Sequence, residues 1–342
     1  MLFYCISLFR VVKFNLKNKN YKENNIKGKI VKIESKDYYV ENNIGKVFRC
    51  SLRGKFKKDL LKKKDKLTTY DVAVLGDWVE FEIVSGSVGV INKIEIRKNY
   101  LSRKAKRLRG SLKRGERLEQ IIASNLDTLY IVSSIDSPKF NNRFIDRIIV
   151  TAESSHIDVR IVINKSDLEQ SKLLAKWENF YSKLGYNVFI TSVISLVGIE
   201  KLKKSLNGKI NLFWGQSGVG KSSLLNAMYP ELNFPVGEIS EASKKGRHTT
   251  VTGIMKLVEK NTYIIDTPGI REIDPYGIKK QDLGYYFIEF GEFIHQCKFN
   301  TCIHVHEPGC AVVKAVEEGK ISLLRYESYL NLLNTIEDDM FY

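Results

Sequence analysis

The sequence has 342 residues, of which 43% are hydrophobic and 27% are charged, a composition that fits a globular protein of about two or three domains and argues against a disordered chain. Its 55 lysines and arginines against 39 acidic residues give a formal net charge of +16. This surplus favours a polyanionic partner such as nucleic acid or an anionic membrane surface, with a merely lysine-rich surface as the alternative.

Residues 1–24 begin with an apolar run, MLFYCISLFRVVKF, which Arg10 interrupts. The run is too short to span a bilayer, and it lacks the basic n-region and the Ala-x-Ala-like cleavage site of a signal peptide. A targeting remnant, an unused upstream start and a disordered tail remain open as explanations. We treat residues 1–24 as an N-terminal extension and expect no membrane association.

Residues 25–99 contain five short alternating segments that are rich in β-branched and aromatic residues. These segments are KGKIVKIES, YYVEN, KVFRCSL, DWVEFEI and SVGVINKIEI. Five such strands with turn formers between them predict a small β-barrel of the OB type, a fold that often binds oligonucleotides. An SH3-like barrel that only supports its neighbours is the alternative.

A basic stretch follows the predicted barrel. From Arg97 to Arg117 the sequence carries ten basic residues and one acid, Glu116. Positive charges at this density repel one another unless phosphates neutralise them. We therefore expect a contact with rRNA or another nucleic acid, with a solvated linker as the alternative. We assign residues 100–119 to a basic linker.

Residues 120–277 alternate strand-like and helix-like segments. The near-continuous apolar strands, among them DTLYIVSS, VRIVINK and INLFW, predict a mostly parallel sheet covered on both faces. Residues 278–342 have a helical pattern apart from a cluster of cysteines. The sequence therefore predicts an α/β domain between a barrel and a helical C-terminal domain.

A phosphate-binding loop is predicted at GQSGVGKSS, which matches G-x-x-x-x-G-K-[ST] and lies between the strand INLFW and the helix KSSLLNAMY. Its glycines let backbone N–H groups surround phosphates at a helix N-terminus; Lys221 can reach the β- and γ-phosphates, and the Ser222 hydroxyl can bind Mg²⁺. The predicted phosphate-binding residues are Gly215, Gln216, Ser217, Gly218, Val219, Gly220, Lys221, Ser222 and Ser223.

Two further segments fit a nucleotide switch. In TYIIDTPG, Asp266 can hold Mg²⁺ through water while the Gly269 N–H senses the γ-phosphate. A strand that merely ends in a Pro-Gly turn is the alternative. In SKKGRHTTVTG, Thr249 or Thr250 can close on Mg²⁺, and the sequence does not decide between them.

The tetrapeptide Asn164-Lys165-Ser166-Asp167 fits the N-K-x-D pattern of guanine recognition. A carboxylate at Asp167 accepts hydrogen bonds from guanine N1–H and N2–H₂, whereas Asn164 would tie this loop to the phosphate loop and the Lys165 stem would pack on the base. A turn that starts a helix, with Ser166 or Asp167 as its N-cap, is the alternative. The backbone after Ser192, at the end of the strand NVFITS, is expected to read the guanine carbonyl.

The guanine loops precede the phosphate loop, which reverses the order of ordinary GTPases. A cyclic rotation explains this order, because a sheet depends on which strands are neighbours and not on where the chain is cut. The chain resembles the circularly permuted GTPases of the RsgA (YjeQ) family over residues 25–335. The motifs are GDWVEF, NKSD, GQSGVGKSSLLN, GRHTT, DTPGIRE and CKFNTCIHVHEPGCAV.

This resemblance implies an OB-type barrel, a circularly permuted P-loop GTPase domain, a C-terminal zinc domain and a role in late maturation of the small ribosomal subunit. GTP or GDP, rRNA and the subunit are the expected partners, and the protein is expected to be a cytoplasmic monomer. The sequence departs from the family pattern at Val193, where alanine is usual, and at Val251, where a third threonine is usual.

The position after D-T-P-G is Ile270, which cannot orient a water as glutamine does in Ras-like enzymes. His248 is the expected catalytic residue, as the family resemblance also suggests. A solvent-exposed loop residue or an rRNA contact is the alternative role for His248.

Three of the five cysteines lie close together with histidines, in Cys297-x₄-Cys302-x-His304-x₅-Cys310. Three thiolates and one imidazole are the ligand set of a structural Zn²⁺ site, so the expected cofactors are one zinc ion and Mg²⁺ with GTP. His306 and His295 are rival imidazoles; spacing and the family pattern favour His304. This crowding does not suit the disulfide framework of a secreted protein, so a reducing cytoplasm is expected.

The leading hypothesis is a switch that hydrolyses GTP on the small ribosomal subunit. The alternative is a nucleotide-gated RNA-binding assembly chaperone whose hydrolysis is incidental. An ATPase or kinase would require indifference to Asp167.

Overall fold

The computed structural model describes residues 25–54, 56, 72–104, 119–168, 171–234, 251–266 and 275–336. One eleven-stranded sheet and one two-stranded sheet lie in this part of the chain. The strands are β1 (Ile26–Glu34), β2 (Asp37–Asn42), β3 (Val47–Leu52), β4 (Trp78–Ser85), β5 (Val88–Ile94), β6 (Tyr100–Lys104), β7 (Glu119–Ser124), β8 (Thr128–Ser134), β9 (Asp158–Asn164), β10 (Asn187–Ile190), β11 (Ile210–Gly215), β12 (Val251–Glu259) and β13 (Thr262–Asp266).

The first five strands form a closed barrel. They are hydrogen-bonded in the order β1-β2-β3-β5-β4, and β4 pairs back onto β1 from Ile26↔Phe81 to Lys29↔Trp78. Along each strand, residues that face the barrel interior alternate with residues that face outwards. The inward side chains form a buried core. These include Ile30, Val40, Phe48, Val79, Phe81 and Ile91. The predicted five-stranded barrel is confirmed.

The central sheet has the order β10-β9-β8-β11-β13-β12, in which all neighbours are parallel except β12 and β13. All seven residues of β8 are buried, because helices cover both faces of the parallel strands. This burial explains why the strands appear in the sequence as continuous apolar runs. The predicted mostly parallel sheet is confirmed.

The barrel and the central sheet are continuous through backbone hydrogen bonds. Strand β12 pairs with β13 on one side and with β1 on the other, where Lys32 pairs with Ile254. A further contact joins the segment before β4 to the two-stranded sheet, where Gly76, with a φ of +85°, approaches Ser124 of β7. A Cβ atom at Gly76 would lie 2.2 Å from the Ser124 carbonyl oxygen, so only glycine permits this approach.

The predicted basic linker begins with a strand, because Tyr100–Lys104 forms β6 and pairs with β7. Residues 105–118 of that stretch, like residues 1–24, lie outside the described residues. The proposed domain limits therefore stay predictions.

Seven α-helices lie in the described ranges, and none of them is long and apolar enough to cross a bilayer. Helix α1 begins after Asn141, whose side chain caps it by accepting a hydrogen bond from the Phe144 N–H. The helices are α1 (Asn142–Glu153), α2 (Ser171–Lys183), α3 (Ile199–Ser205), α4 (Lys221–Met228), α5 (Gly291–Ile294), α6 (Ala311–Glu317) and α7 (Leu323–Leu333).

The C-terminal region, residues 275–336, packs against α1 around a buried charged network. The Arg325 guanidinium on α7 is 0% exposed; its Nη1 lies 2.6 Å from Asp146 Oδ1 on α1, and its Nε lies 2.6 Å from Glu289 Oε1. The Tyr181 hydroxyl on α2 donates to the same Asp146 oxygen at 3.0 Å. Arg325 therefore joins the C-terminal region to α1 directly and to α2 through Asp146.

Substituting Arg325→Met is expected to lower the free energy of unfolding by about 3–5 kcal/mol, because it leaves Asp146 and Glu289 as buried charges without their cation. The matched control is Arg143→Met. Arg143 lies 3.5 Å from Glu327 between the same two helices but on their exposed side. Loss of this exposed ion pair should lower the free energy of unfolding, measured by urea denaturation, by at most about 1 kcal/mol.

The loss of unfolding free energy caused by Arg325→Met should also become smaller as the pH is lowered from neutral. Burial raises the pKa of Asp146 even in the intact protein, and removal of Arg325 raises it further. Below that pKa the folded state binds a proton that the unfolded state does not, so acid restores stability to the variant. Equal losses in the two variants at every pH would contradict the role assigned to this network.

Candidate nucleotide-binding site and metal centre

The predicted nucleotide loops meet at the carboxyl edge of the central sheet. Strands β8 and β11 are neighbours, but the chain leaves β8 towards β9 and β10 and leaves β11 towards β13. The connections therefore run in opposite directions and open a crevice beyond the ends of β8 and β11. Open α/β sheets bind their ligands at such a switch point.

The phosphate loop joins β11 to α4. Gly218 and Gly220 have φ angles of +83° and +87°, and α4 begins at Lys221, so backbone N–H groups at the start of the helix face the crevice. Ser222 and Ser223 lie in the first turn of α4, whereas Gln216 and Ser217 lie in the loop. The local geometry has the form that phosphate oxygens require.

The Asn164 side chain joins the N-K-x-D loop to the phosphate loop. It is 1% exposed, and its Nδ2 donates to the Val219 carbonyl at 3.0 Å. A Cβ atom at Gly220 would lie 2.6 Å from this nitrogen, so the contact needs a glycine there. The structure thus brings together two motifs that the sequence separates.

Thr191 orients Asn164, and the sequence analysis did not identify it. Its hydroxyl, in a residue that is 0% exposed, donates to Asn164 Oδ1 at 3.1 Å. With the oxygen occupied, the amide nitrogen points to Val219. The only available signal was its position, between the strand NVFI and Ser192.

Asp167 and Ser192 also meet. The Ser192 hydroxyl donates to Asp167 Oδ1 at 2.5 Å and accepts from the Ser195 N–H at 3.1 Å. The Ser166 N–H donates to the Thr191 carbonyl at 3.1 Å, which holds the two loops edge to edge. Asp167 itself is exposed at the rim of the crevice. Its carboxylate is held by the serine in a position from which it can accept hydrogen bonds from a base.

Lys221 and Asp266 form an ion pair inside the crevice. Lys221 Nζ lies 2.8 Å from Asp266 Oδ1, and the two side chains are 14% and 12% exposed. Strand β13 is parallel to β11, with Asp266 beside Phe213, so its end lies next to the start of the phosphate loop. Lys221 and Asp266, which were predicted to contact the phosphates and Mg²⁺, are therefore close enough to each other to contact one ligand. His248, Thr249, Thr250 and Gly269 lie outside the described residues.

A separate centre lies in the C-terminal region. The ligand atoms of Cys297, Cys302, His304 and Cys310 all lie within 4.8 Å of one another. His304 Nδ1 is 3.4 Å from Cys310 Sγ and 3.6 Å from Cys297 Sγ, whereas His295 and His306 are exposed and lie outside the cluster. Three sulfurs and one nitrogen at this separation can hold one metal ion.

The loop that carries His304 is fixed by side chains outside the cluster. The Glu307 carboxylate accepts the N–H groups of Ile303 and Val305 at 2.6 Å and 2.9 Å. Burial opposes ionisation, but the backbone donors prevail and lower the pKa of Glu307 to about 2. The Tyr326 hydroxyl donates to the His304 carbonyl at 2.8 Å. Such outer contacts orient metal ligands.

Two family models match the chain: the RsgA N-terminal domain over residues 27–91 and the RsgA GTPase over residues 94–276. The small ribosomal subunit biogenesis GTPase RsgA of Phocaeicola vulgatus is 37% identical over 316 residues, which are 92% of this chain and 98% of the relative. The protein of that name from Chlorobaculum parvum is 35% identical over 317 residues, covering 92% and 99%.

Two solved structures are similar in fold. YjeQ from Thermotoga maritima has a TM-score of 0.71 and 34% identity, covering 91% of this chain and 98% of its own. YloQ, described as a circularly permuted GTPase, has a TM-score of 0.65 and 27% identity, covering 95% and 100%. With its matched domains, its relatives and its strand order, the chain belongs to the RsgA family of circularly permuted GTPases.

Proposed function

We propose that the protein hydrolyses GTP and acts as a switch in late maturation of the small ribosomal subunit. The observation that carries this proposal is the contact between the two motifs: the Asn164 amide bonds to the phosphate loop while Asp167 is held at the rim of the crevice. The relatives that match nearly the whole chain are named small ribosomal subunit biogenesis GTPases. An assembly chaperone with incidental hydrolysis is not favoured.

Guanine specificity is assigned to the loops after β9 and β10. The Asp167 carboxylate can accept from both N1–H and N2–H₂ of guanine, which adenine cannot offer together. The backbone N–H of Val193, next to Ser192, would donate to the guanine carbonyl, and a valine serves there as well as an alanine because the contact uses backbone. Adenine nucleotides would leave the Asp167 carboxylate and the Val193 N–H without these partners.

The phosphates are assigned to the loop from Gly215 to Ser223. Its N–H groups would surround the phosphates, Lys221 would leave Asp266 for the phosphate oxygens, and Asp266 and the Ser222 hydroxyl would face Mg²⁺. The ion would neutralise charge on the β- and γ-phosphates. From the sequence, Thr249 or Thr250 would complete its ligands, and the Gly269 N–H would sense the γ-phosphate.

Hydrolysis requires a group that positions the attacking water, and Ile270 cannot do so. We assign this role to His248, because its imidazole is the nearest candidate in the sequence to the metal-binding threonines. Binding to the ribosomal subunit would then fix the position of His248 and raise the rate of GTP hydrolysis. The barrel and the basic stretch would bind rRNA, and the protein would act as a cytoplasmic monomer.

Isolated small subunits are expected to raise the rate of GTP hydrolysis in proportion to their occupancy, and His248→Ala should lower the stimulated rate about a hundredfold. The measurement is phosphate release at saturating GTP while subunits are titrated. His156→Ala, which changes an exposed histidine in the turn after α1, is the matched control. Full stimulation of His248→Ala would remove it from the mechanism, and a wild-type rate indifferent to subunits would refute the switch.

Substituting Asp167→Asn should weaken GTP binding about tenfold to a hundredfold and improve binding of xanthosine triphosphate, because an amide can donate to the xanthine carbonyl that replaces the guanine amino group. Competition titrations measure both affinities. Asp158→Asn, at the other end of β9 and 49% exposed, is the control and should change neither. Unaltered selectivity in Asp167→Asn would indicate another purine-binding residue.

The metal centre is assigned to one structural Zn²⁺ ion. The ligand set is soft, leaves no position for a water and lies on a loop with little core of its own. Purified protein should contain one equivalent of zinc, and Cys302→Ser should lose it and unfold the C-terminal region at a lower temperature. Cys50→Ala, in the barrel, should keep the metal. Equal zinc content in both variants, measured by elemental analysis, would contradict this assignment.

A further inference from the structure

A loop that none of the recognised motifs includes lies beside the nucleotide crevice. Residues 135–140, with the sequence IDSPKF, join β8 to α1; we call them the β8 loop. Strand β8 is one of the two strands that flank the switch point, so its connection leaves from the edge where a ligand would bind.

The lysine of the N-K-x-D motif reaches this loop. The Lys165 ammonium donates a hydrogen bond to the Ser137 carbonyl. On its way the side chain passes the phosphate loop, since a Cβ atom at Gly220 would lie 3.8 Å from Lys165 Cε. Lys165 also has a φ of +60°, a left-handed conformation that costs a residue with a side chain about 1 kcal/mol and that is typical of functional sites.

Ser134 holds the β8 loop in place. It is the last residue of β8 and is 0% exposed, and its hydroxyl donates to the Pro138 carbonyl at 2.7 Å. The Ile135 N–H donates to the Asn164 carbonyl at 3.1 Å, so the base of the loop is fixed to the strand that carries the guanine motif. The carbonyl of Ser137 is therefore held by contacts on both sides.

The same loop contacts the phosphate loop and helix α2. A Cβ atom at Gly218 would lie 3.7 Å from Pro138 Cδ. At the other end of the loop, the Phe140 ring stacks on Trp177 of α2 with ring centroids 4.6 Å apart. The β8 loop thus lies next to the phosphate loop at one end and packs on helix α2 at the other.

We propose that the β8 loop is a wall of the nucleotide site and that Ser134 is a positioning residue for Lys165. By fixing the Ser137 carbonyl, Ser134 holds the lysine ammonium away from the base, so the apolar methylene stem lies along the purine. This inference rests on the proposed function, because it concerns the same guanine nucleotide.

The test is a double-mutant cycle on GDP affinity with Ser134→Ala, Lys165→Met and the double variant, measured by fluorescence titration. Ser134→Ala should weaken GDP binding about three- to tenfold, and Lys165→Met should weaken it at least as much. The double variant should bind no more weakly than Lys165→Met, because Ser134 acts through that lysine. Ser133→Ala, the neighbouring buried serine whose hydroxyl faces the Ser134 carbonyl, should bind GDP normally.

Thermal unfolding distinguishes positioning from stability alone. If Ser134 has only a structural role, Ser134→Ala should lower the unfolding midpoint, and its loss of GDP affinity should add to that of Lys165→Met. That result would overturn the proposal. Wild-type GDP affinity in Ser134→Ala would also overturn it. Ser134→Cys keeps the size of the side chain but donates a hydrogen bond only weakly, and it should reproduce the result if Ser134→Ala does not fold. A wild-type protein that does not bind GDP would instead refute the proposed function.

Discussion

The hydrogen bond from Asn164 to the Val219 carbonyl is the contact on which the nucleotide site depends. It joins the loop after β9 to the loop after β11, two segments that lie on either side of β8 and far apart in the chain. The amide can make this bond because Thr191 occupies its oxygen and because Gly220 leaves room for its nitrogen. Because the bond depends on which strands are neighbours, it forms equally well in a chain whose motifs occur in permuted order.

The barrel is joined to the sheet by a different kind of contact. Strand β12 shares backbone hydrogen bonds with β13, which ends at Asp266, and with β1 of the barrel. Beside this seam the Lys29 ammonium lies 4.7 Å from the ring centroid of Trp78 and 3.8 Å from that of Tyr263. Burial lowers the pKa of Lys29 to about 8, despite the opposing effect of nearby carboxylates. A cation held by rings from both units favours one fixed arrangement of barrel and sheet.

The sequence was sufficient to predict the elements whose signals are local. Three of these signals are short patterns with fixed spacing: Gly215 to Ser223, Asn164 to Asp167, and the cysteine cluster. In the barrel strands, apolar and polar residues alternate clearly. Thr191, Ser134 and the β8 loop could not be predicted in the same way, because their roles come from partners that only the folded sheet brings close. The spacing of the residues favours His304 over His306 but does not decide between them. The decision comes from the fold, in which His304 is buried within the cluster and His306 is exposed.

The C-terminal region follows β13 in the chain, so the sequence connects it to Asp266, the residue assigned to the proposed switch. Its packing connects it elsewhere: Arg325 bonds to Asp146 on α1, and Asp146 accepts a hydrogen bond from Tyr181 on α2, the helix that follows the guanine loop. Helix α1 in turn begins where the β8 loop ends. The region with the Cys₃His cluster is thus joined to the proposed γ-phosphate side of the crevice through the chain and to the proposed guanine side through a buried charge. A permuted order makes this possible, because the strand that ends in Asp266 is the last of the described strands along the chain, and the region that follows packs over α1.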